Sequence, residues 1–100
     1  MFSLKTYDSN KKLEDADIKD AAKILSEIRF RGGFKSGNIE LLEDFLEILH
    51  FFEMKNKEAE NEMPPTEDDC IRLMQAQDFM LYAPTIEKEI IKIKQNRILQ

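Results

Sequence analysis

Large apolar residues recur at three- and four-residue steps through the middle of the chain. Leu41, Leu42, Phe45, Leu46, Ile48, Leu49 and Phe52 fill one broad arc when successive residues are set about 100° apart. Glu40, Glu43, Asp44 and Glu47 fill the opposite arc. The spacing predicts an amphipathic helix over 39–58, capped by Ser36 or Asn38. At roughly 1.5–3 kcal/mol per fully buried large side chain, this arc is expected to dominate the core.

An earlier helix is predicted from Ile18, Ala21, Ala22, Leu25 and Ile28. It starts near Asp15, where Asp15 and Asp17 favour the positive end of the helix dipole, and stops at Gly32-Gly33, since glycine accepts the left-handed C-terminal cap. The Pro64-Pro65 pair places a loop over 61–65. Thr66 with Asp69 then reads as a capping box for a third helix over 67–82, with Cys70, Leu73, Met74, Met80 and Leu81 facing inward. Pro84 ends that helix. Thr85 caps a fourth over 86–98, with a narrow stripe of Ile86, Ile90 and Ile93. Ile91-Lys92-Ile93-Lys94 also alternates as a strand does, but helix is the favoured reading. Residues 1–12 show no helical period and are expected as an extended arm or a short strand. The expectation is an all-α, single-domain, four-helix bundle-like fold over 1–100.

Composition adds the class of protein. With 42% hydrophobic and 35% charged residues in 100, the chain can bury a core and is not a disordered polymer. No apolar run approaches the ~20 residues of a membrane span, and the first residues lack the apolar core of a signal peptide. A soluble, cytoplasmic protein is expected. Cys70 is the sole cysteine, so no internal disulfide can form. It reads as a small apolar residue rather than a nucleophile, because His50, the sole histidine, lies on another helix.

The distribution of charge matters more than the net value of -5. Residues 36–69 hold eleven acids against two lysines, a local charge of -9, while both flanks are weakly basic. Such a segment repels nucleic acids and membrane surfaces and attracts basic partners.

Few motifs carry specific chemistry. Glu47 and His50 have the Glu-x-x-His spacing of di-iron bundles, but those sites take a second such pair and further carboxylates. Asp15, Asp17 and Asp20 resemble the opening of a calcium loop without its glycine or closing glutamate. No catalytic constellation, metal or cofactor is expected. The segment Arg29-Phe30-Arg31-Gly32-Gly33-Phe34-Lys35 could hold an anion through Arg29, Arg31 and Lys35. The simpler reading is a helix end with Phe30 and Phe34 packed inward.

One irregularity stands out. Phe51 and Met54 fall on the acid side of the second helix and continue the row Glu40, Asp44, Glu47 at steps of four and three. Either the third or fourth helix covers them, with displaced Phe79 and Tyr82 supplying the cover, or they anchor a partner. The candidate partner surface is Glu40, Glu43, Asp44, Glu47, Phe51 and Met54. The functional expectation is a non-enzymatic inhibitor or regulator, of the antitoxin, immunity or phage-regulator kind, that binds a basic protein. A structural subunit of an oligomeric or virion-assembly complex is the alternative, and a nucleic-acid or nucleotide binder ranks below both.

Overall fold

The computed structural model describes residues 11–61 and 66–99, and among these nearly every residue is helical and none lies in a strand. The order is α1 (Asp15–Phe30), a 3₁₀ turn (Phe34–Ser36), α2 (Ile39–Asn61), α3 (Glu67–Met80) and α4 (Ala83–Leu99). The arm or strand expected at the N-terminus falls mostly outside the described residues, as does most of the loop expected over 61–65.

Local chemistry sets the boundaries. Glu14 is the N-cap of α1, and its backbone N–H donates to Asp17 Oδ2 at 2.9 Å. At the other end Gly33 N–H reaches the Ile28 carbonyl at 2.8 Å and Gly32 N–H that of Arg29 at 3.2 Å. This is the paired Schellman closure, and Gly32 takes the positive φ of 111° that it needs. Asn38 caps α2: its Oδ1 accepts a long bond of 3.5 Å from Leu41 N–H. The helix then runs one turn further than its apolar pattern, to Asn61. Thr66 Oγ1 accepts from Asp69 N–H at 3.1 Å and starts α3.

The α3–α4 boundary departs from expectation. Only Leu81 and Tyr82 separate the two helices, and α4 begins at Ala83. Thr85 is therefore inside the helix and not its cap. Pro84 sits in the first turn, where a missing N–H costs no helical hydrogen bond. The 86–98 segment is helical throughout, with no strand.

α2 packs against the three other helices and forms the middle of the core. Ile39, Leu41, Leu42, Phe45, Ile48, Leu49, Phe51 and Phe52 are all buried, while Leu46, expected among them, is half-buried. α1 contributes Ala21, Ile24, Leu25 and Ile28, whereas Ala22 is exposed. α4 contributes Ile86 and Ile90, while Ile93, expected in the same stripe, is half-buried, and residues 94–97 are all exposed.

The face of α3 is corrected. Cys70, Met74 and Leu81, expected inward, are exposed. The buried residue is Ala76, flanked by half-buried Leu73, Phe79 and Met80. Phe79 lies edge-on to Phe45 at 6.4 Å and tilted to Phe52 at 6.2 Å. A small residue at the crossing lets the backbone of α3 approach α2, so that Phe79 interleaves with the α2 rings.

Candidate functional site

The acid row lies on the N-terminal half of α2, on the side turned away from Leu42, Phe45 and Leu49. Glu40 and Glu43 are exposed, and Asp44 and Glu47 are half-buried. No ion pair joins any of the four to another described residue. Along one helix, Glu40–Asp44 and Glu43–Glu47 are four apart, and Glu40–Glu43 and Asp44–Glu47 three apart. Like charges at these spacings repel. Only Glu40 lies in the first turn, where the helix dipole offsets the cost.

Asp44 records the crowding. Partial burial, followed by the carboxylates of Glu47, Glu40 and Glu43, holds its pKa above the usual aspartate value. A group that binds its proton more tightly when folded destabilises the fold once pH passes its folded pKa. Asp44→Asn is therefore expected to raise stability at neutral pH, by about 0.5 kcal/mol from the two nearest like-charge pairs. The gain should shrink on acidification and vanish below about pH 3.9, where the unfolded aspartate is itself protonated. Thermal melts at pH 7 and under acid conditions check this, and an unchanged or lowered melting temperature at pH 7 would contradict it.

Phe51 and Met54 do not extend this row at the surface. Phe51 is 2% exposed, within the core. α1 folds back along α2, so the chain entering α1 lies beside the C-terminal half of α2. Lys11 Nζ stands 5.2 Å from the centroid of the Phe51 ring, and Lys55 Nζ 5.7 Å. The acid row and Phe51 share an angle on the helix but not an environment along its length. Phe51 is therefore a core residue and not an exposed partner anchor. Met54 is half-buried and packs against the core, and it also lines an open hollow of about 400 Å³ with His50, Glu53, Lys57, Glu58 and Asn61. Phe79 and Tyr82 cover Phe45 and Phe52 rather than extending an exposed patch.

The basic segment divides. Arg29 Nη2 donates to the Tyr82 hydroxyl at 3.2 Å, Arg31 pairs with Glu27 at 2.7 Å, and Lys35 is exposed. Phe34 is half-buried, with its ring centroid 5.5 Å from that of Tyr82. Phe30, expected to pack inward beside it, is exposed instead. The Schellman closure fixes the backbone at the end of α1 and leaves that side chain pointing off the core.

The remaining candidates are structural. Asp15 accepts from Arg72 at 2.8 Å and joins α1 to α3, while Asp17 is buried against Lys11. His50 is exposed, 3.5 Å from Glu87 of α4, and Cys70 is exposed. Among the described residues no group of three or more His, Cys, Asp or Glu is placed to hold a metal ion, and no helix is long and apolar enough to cross a membrane. In comparisons with known proteins, the chain matches no family model, no curated protein and no solved structure.

Proposed function

We propose that the protein is a small, non-enzymatic interaction module built as a four-helix bundle-like domain. It acts in the cytoplasm as an inhibitor or regulator of the antitoxin, immunity or phage-regulator kind, binding a basic partner protein through α2. The observation that carries this reading is the row Glu40, Glu43, Asp44 and Glu47. Four mutually repelling carboxylates occupy one strip of the central helix with no cation among the described residues set against them. The strip costs stability where a neutral surface would cost none, and a basic partner recovers that cost on binding. With Phe51 in the core, the strip supplies steering and specificity, and the apolar contact has to come from elsewhere.

The test is capture by the immobilised chain from a host extract, with the native strip compared against Glu43→Lys with Glu47→Lys. A basic protein should be retained by the native strip and lost from the reversed one. Its association rate should fall steeply as added salt shortens the screening length from ~8 Å toward ~3 Å. Retention indifferent to both changes would end the reading. A second reading, a subunit of an oligomeric assembly, is supported by a separate observation: the exposed large side chains Phe30 and Leu81.

A further inference from the structure

The C-terminal half of α2 is covered on one flank and open on the other. The start of α1 closes over Phe51, with Lys11 Nζ 5.2 Å from the ring centroid. On the flank toward α4, His50 is exposed and stands 3.5 Å from Glu87, and it borders the hollow of about 400 Å³. Met54 is the one apolar residue among those that line this hollow, and it rests against the core. The cations nearby are engaged within α2 itself: Lys57 pairs with Glu53 at 3.4 Å and Lys55 with Glu58 at 3.2 Å.

Met54 also continues the acid strip. It follows Glu47 by seven residues and Glu43 by eleven on one unbroken helix. These intervals are close to two and three whole turns, so Met54 lies within about 20° of each carboxylate and about 10 Å beyond Glu47. The surface therefore has two parts in line. Carboxylates occupy two turns, and an apolar floor opens two turns further on. Its complement is cationic along the first part and apolar at the second. The repeat selects the form of that complement. A helix laid along α2 has the same pitch of about 5.4 Å and keeps its charges in step with the strip. An extended strand repeats on one face every ~6.8 Å and drifts by about 5 Å between Glu40 and Met54.

We propose, resting on the basic-partner reading, that the partner presents a basic amphipathic helix along α2 and seats one apolar side chain in the hollow over Met54. Its Lys or Arg row faces Glu40, Glu43, Asp44 and Glu47. The thioether floor adapts to an aliphatic or aromatic side chain. The strip steers the encounter, and the seated side chain slows dissociation. Met54 thereby supplies the apolar contact that the strip lacks.

The test uses a stapled helical peptide with the full chain. The peptide carries lysines at steps of three and four over two turns and a leucine two turns beyond, and is made in both sequence directions. Controls replace the leucine by alanine, or the lysines by glutamates. The lysine–leucine peptide should bind the native chain with an affinity that falls as salt is added, and the alanine control should bind about tenfold or more weakly, the scale of an interface anchor. In spectra of the chain labelled at its methionine methyl groups, the Met54 signal should shift with the leucine peptide and stay in place with the alanine one. Met54→Gln should remove the difference between the two peptides. If that variant fails to fold, the peptide comparison on the native chain still decides. Equal affinity for both peptides with the Met54 signal unmoved overturns the proposal. The strip reading survives that result if Glu43→Lys with Glu47→Lys abolishes binding of both. Binding that withstands the reversal sinks the strip reading and this proposal with it. No binding of the lysine–leucine peptide at low salt also overturns the proposal, while capture of a basic protein still decides the strip. Preference for the glutamate peptide, or a dimer of the chain that is lost with Met54→Gln, assigns the hollow to an acidic partner or a second copy and overturns it too.

Discussion

Phe51→Ala is expected to destabilise the protein by about 3–5 kcal/mol, the cost of removing a buried phenyl ring and leaving a cavity. The ring is 2% exposed, lies 6.2 Å from that of Phe52, and is overlaid by the Lys11 and Lys55 ammonium groups. For a domain of this size each kcal/mol shifts the melting temperature by roughly 4–8 °C, so the loss is plain in a thermal or urea melt followed by circular dichroism. Total stability is typically only about 5–15 kcal/mol, so a loss of this size removes a large share of the margin. Phe51→Leu, which refills most of the space, should cost far less. A loss below about 1 kcal/mol for the alanine variant would return the ring to the surface and restore Phe51 as a partner anchor.

That contrast marks where sequence reading reaches its limit in this fold. Helix ends are written in local chemistry. Gly32-Gly33, Asn38 and Thr66 each make the cap that their residue types imply, because a cap depends on a few neighbouring backbone groups. The core arc of α2 is legible for the same reason that periodicity works: seven large residues on one side leave little choice of face. Phe51 is a different case. A helical wheel assumes one environment along the whole helix, yet α2 has 23 residues against 16 in α1. Its two halves meet different parts of the chain. Glu40 and Asp44 look outward while Phe51, at nearly the same angle, is covered from the start of α1.

α3 shows the second limit. Its apolar residues form two stripes about a quarter turn apart: Cys70, Met74 and Leu81 on one, and Leu73, Ala76 and Met80 on the other. The inward face read from the sequence takes Cys70, Met74 and Leu81 from the first and Leu73 and Met80 from the second, and leaves out Ala76, which adds little to an apolar pattern. Packing selects the second, because alanine at the crossing lets Phe79 reach Phe45 and Phe52. The choice is made by the shape of α2, which the sequence of α3 does not contain. In the candidate site, the acid strip was legible because solvated charge keeps its helical period. The hollow over Met54 was not, because it depends on which flank of α2 the start of α1 covers, and the sequence of α2 does not contain that.

Asp17 combines local and distant effects, and its loss should rank next in cost. It stands three residues after the Glu14 cap, a position where an acid is commonly a solvated partner of the helix dipole. Here it is 1% exposed, and its Oδ2 accepts both from Lys11 Nζ at 2.7 Å and from Glu14 N–H at 2.9 Å. Asp17→Ala removes one acceptor from two donors. The backbone N–H loses its cap, and the Lys11 ammonium loses a buried counter-ion, though its side chain is 26% exposed and can turn toward water. That escape lowers the usual penalty for breaking a buried pair, and the expected loss is about 2–4 kcal/mol. Asp17→Asn keeps an acceptor of the same shape and should cost about 1–2 kcal/mol. The carboxylate also acts at a distance. By holding Lys11 it holds the ammonium group that lies over Phe51, so Asp17→Ala should loosen the cover of that ring as well. Urea melts of Asp17→Ala, Phe51→Ala and the double variant test the link: the combined loss should fall short of the sum, since both substitutions release the same segment. Strict additivity would mean that Asp17 caps α1 and nothing more, and that Phe51 is kept in the core by its other neighbours.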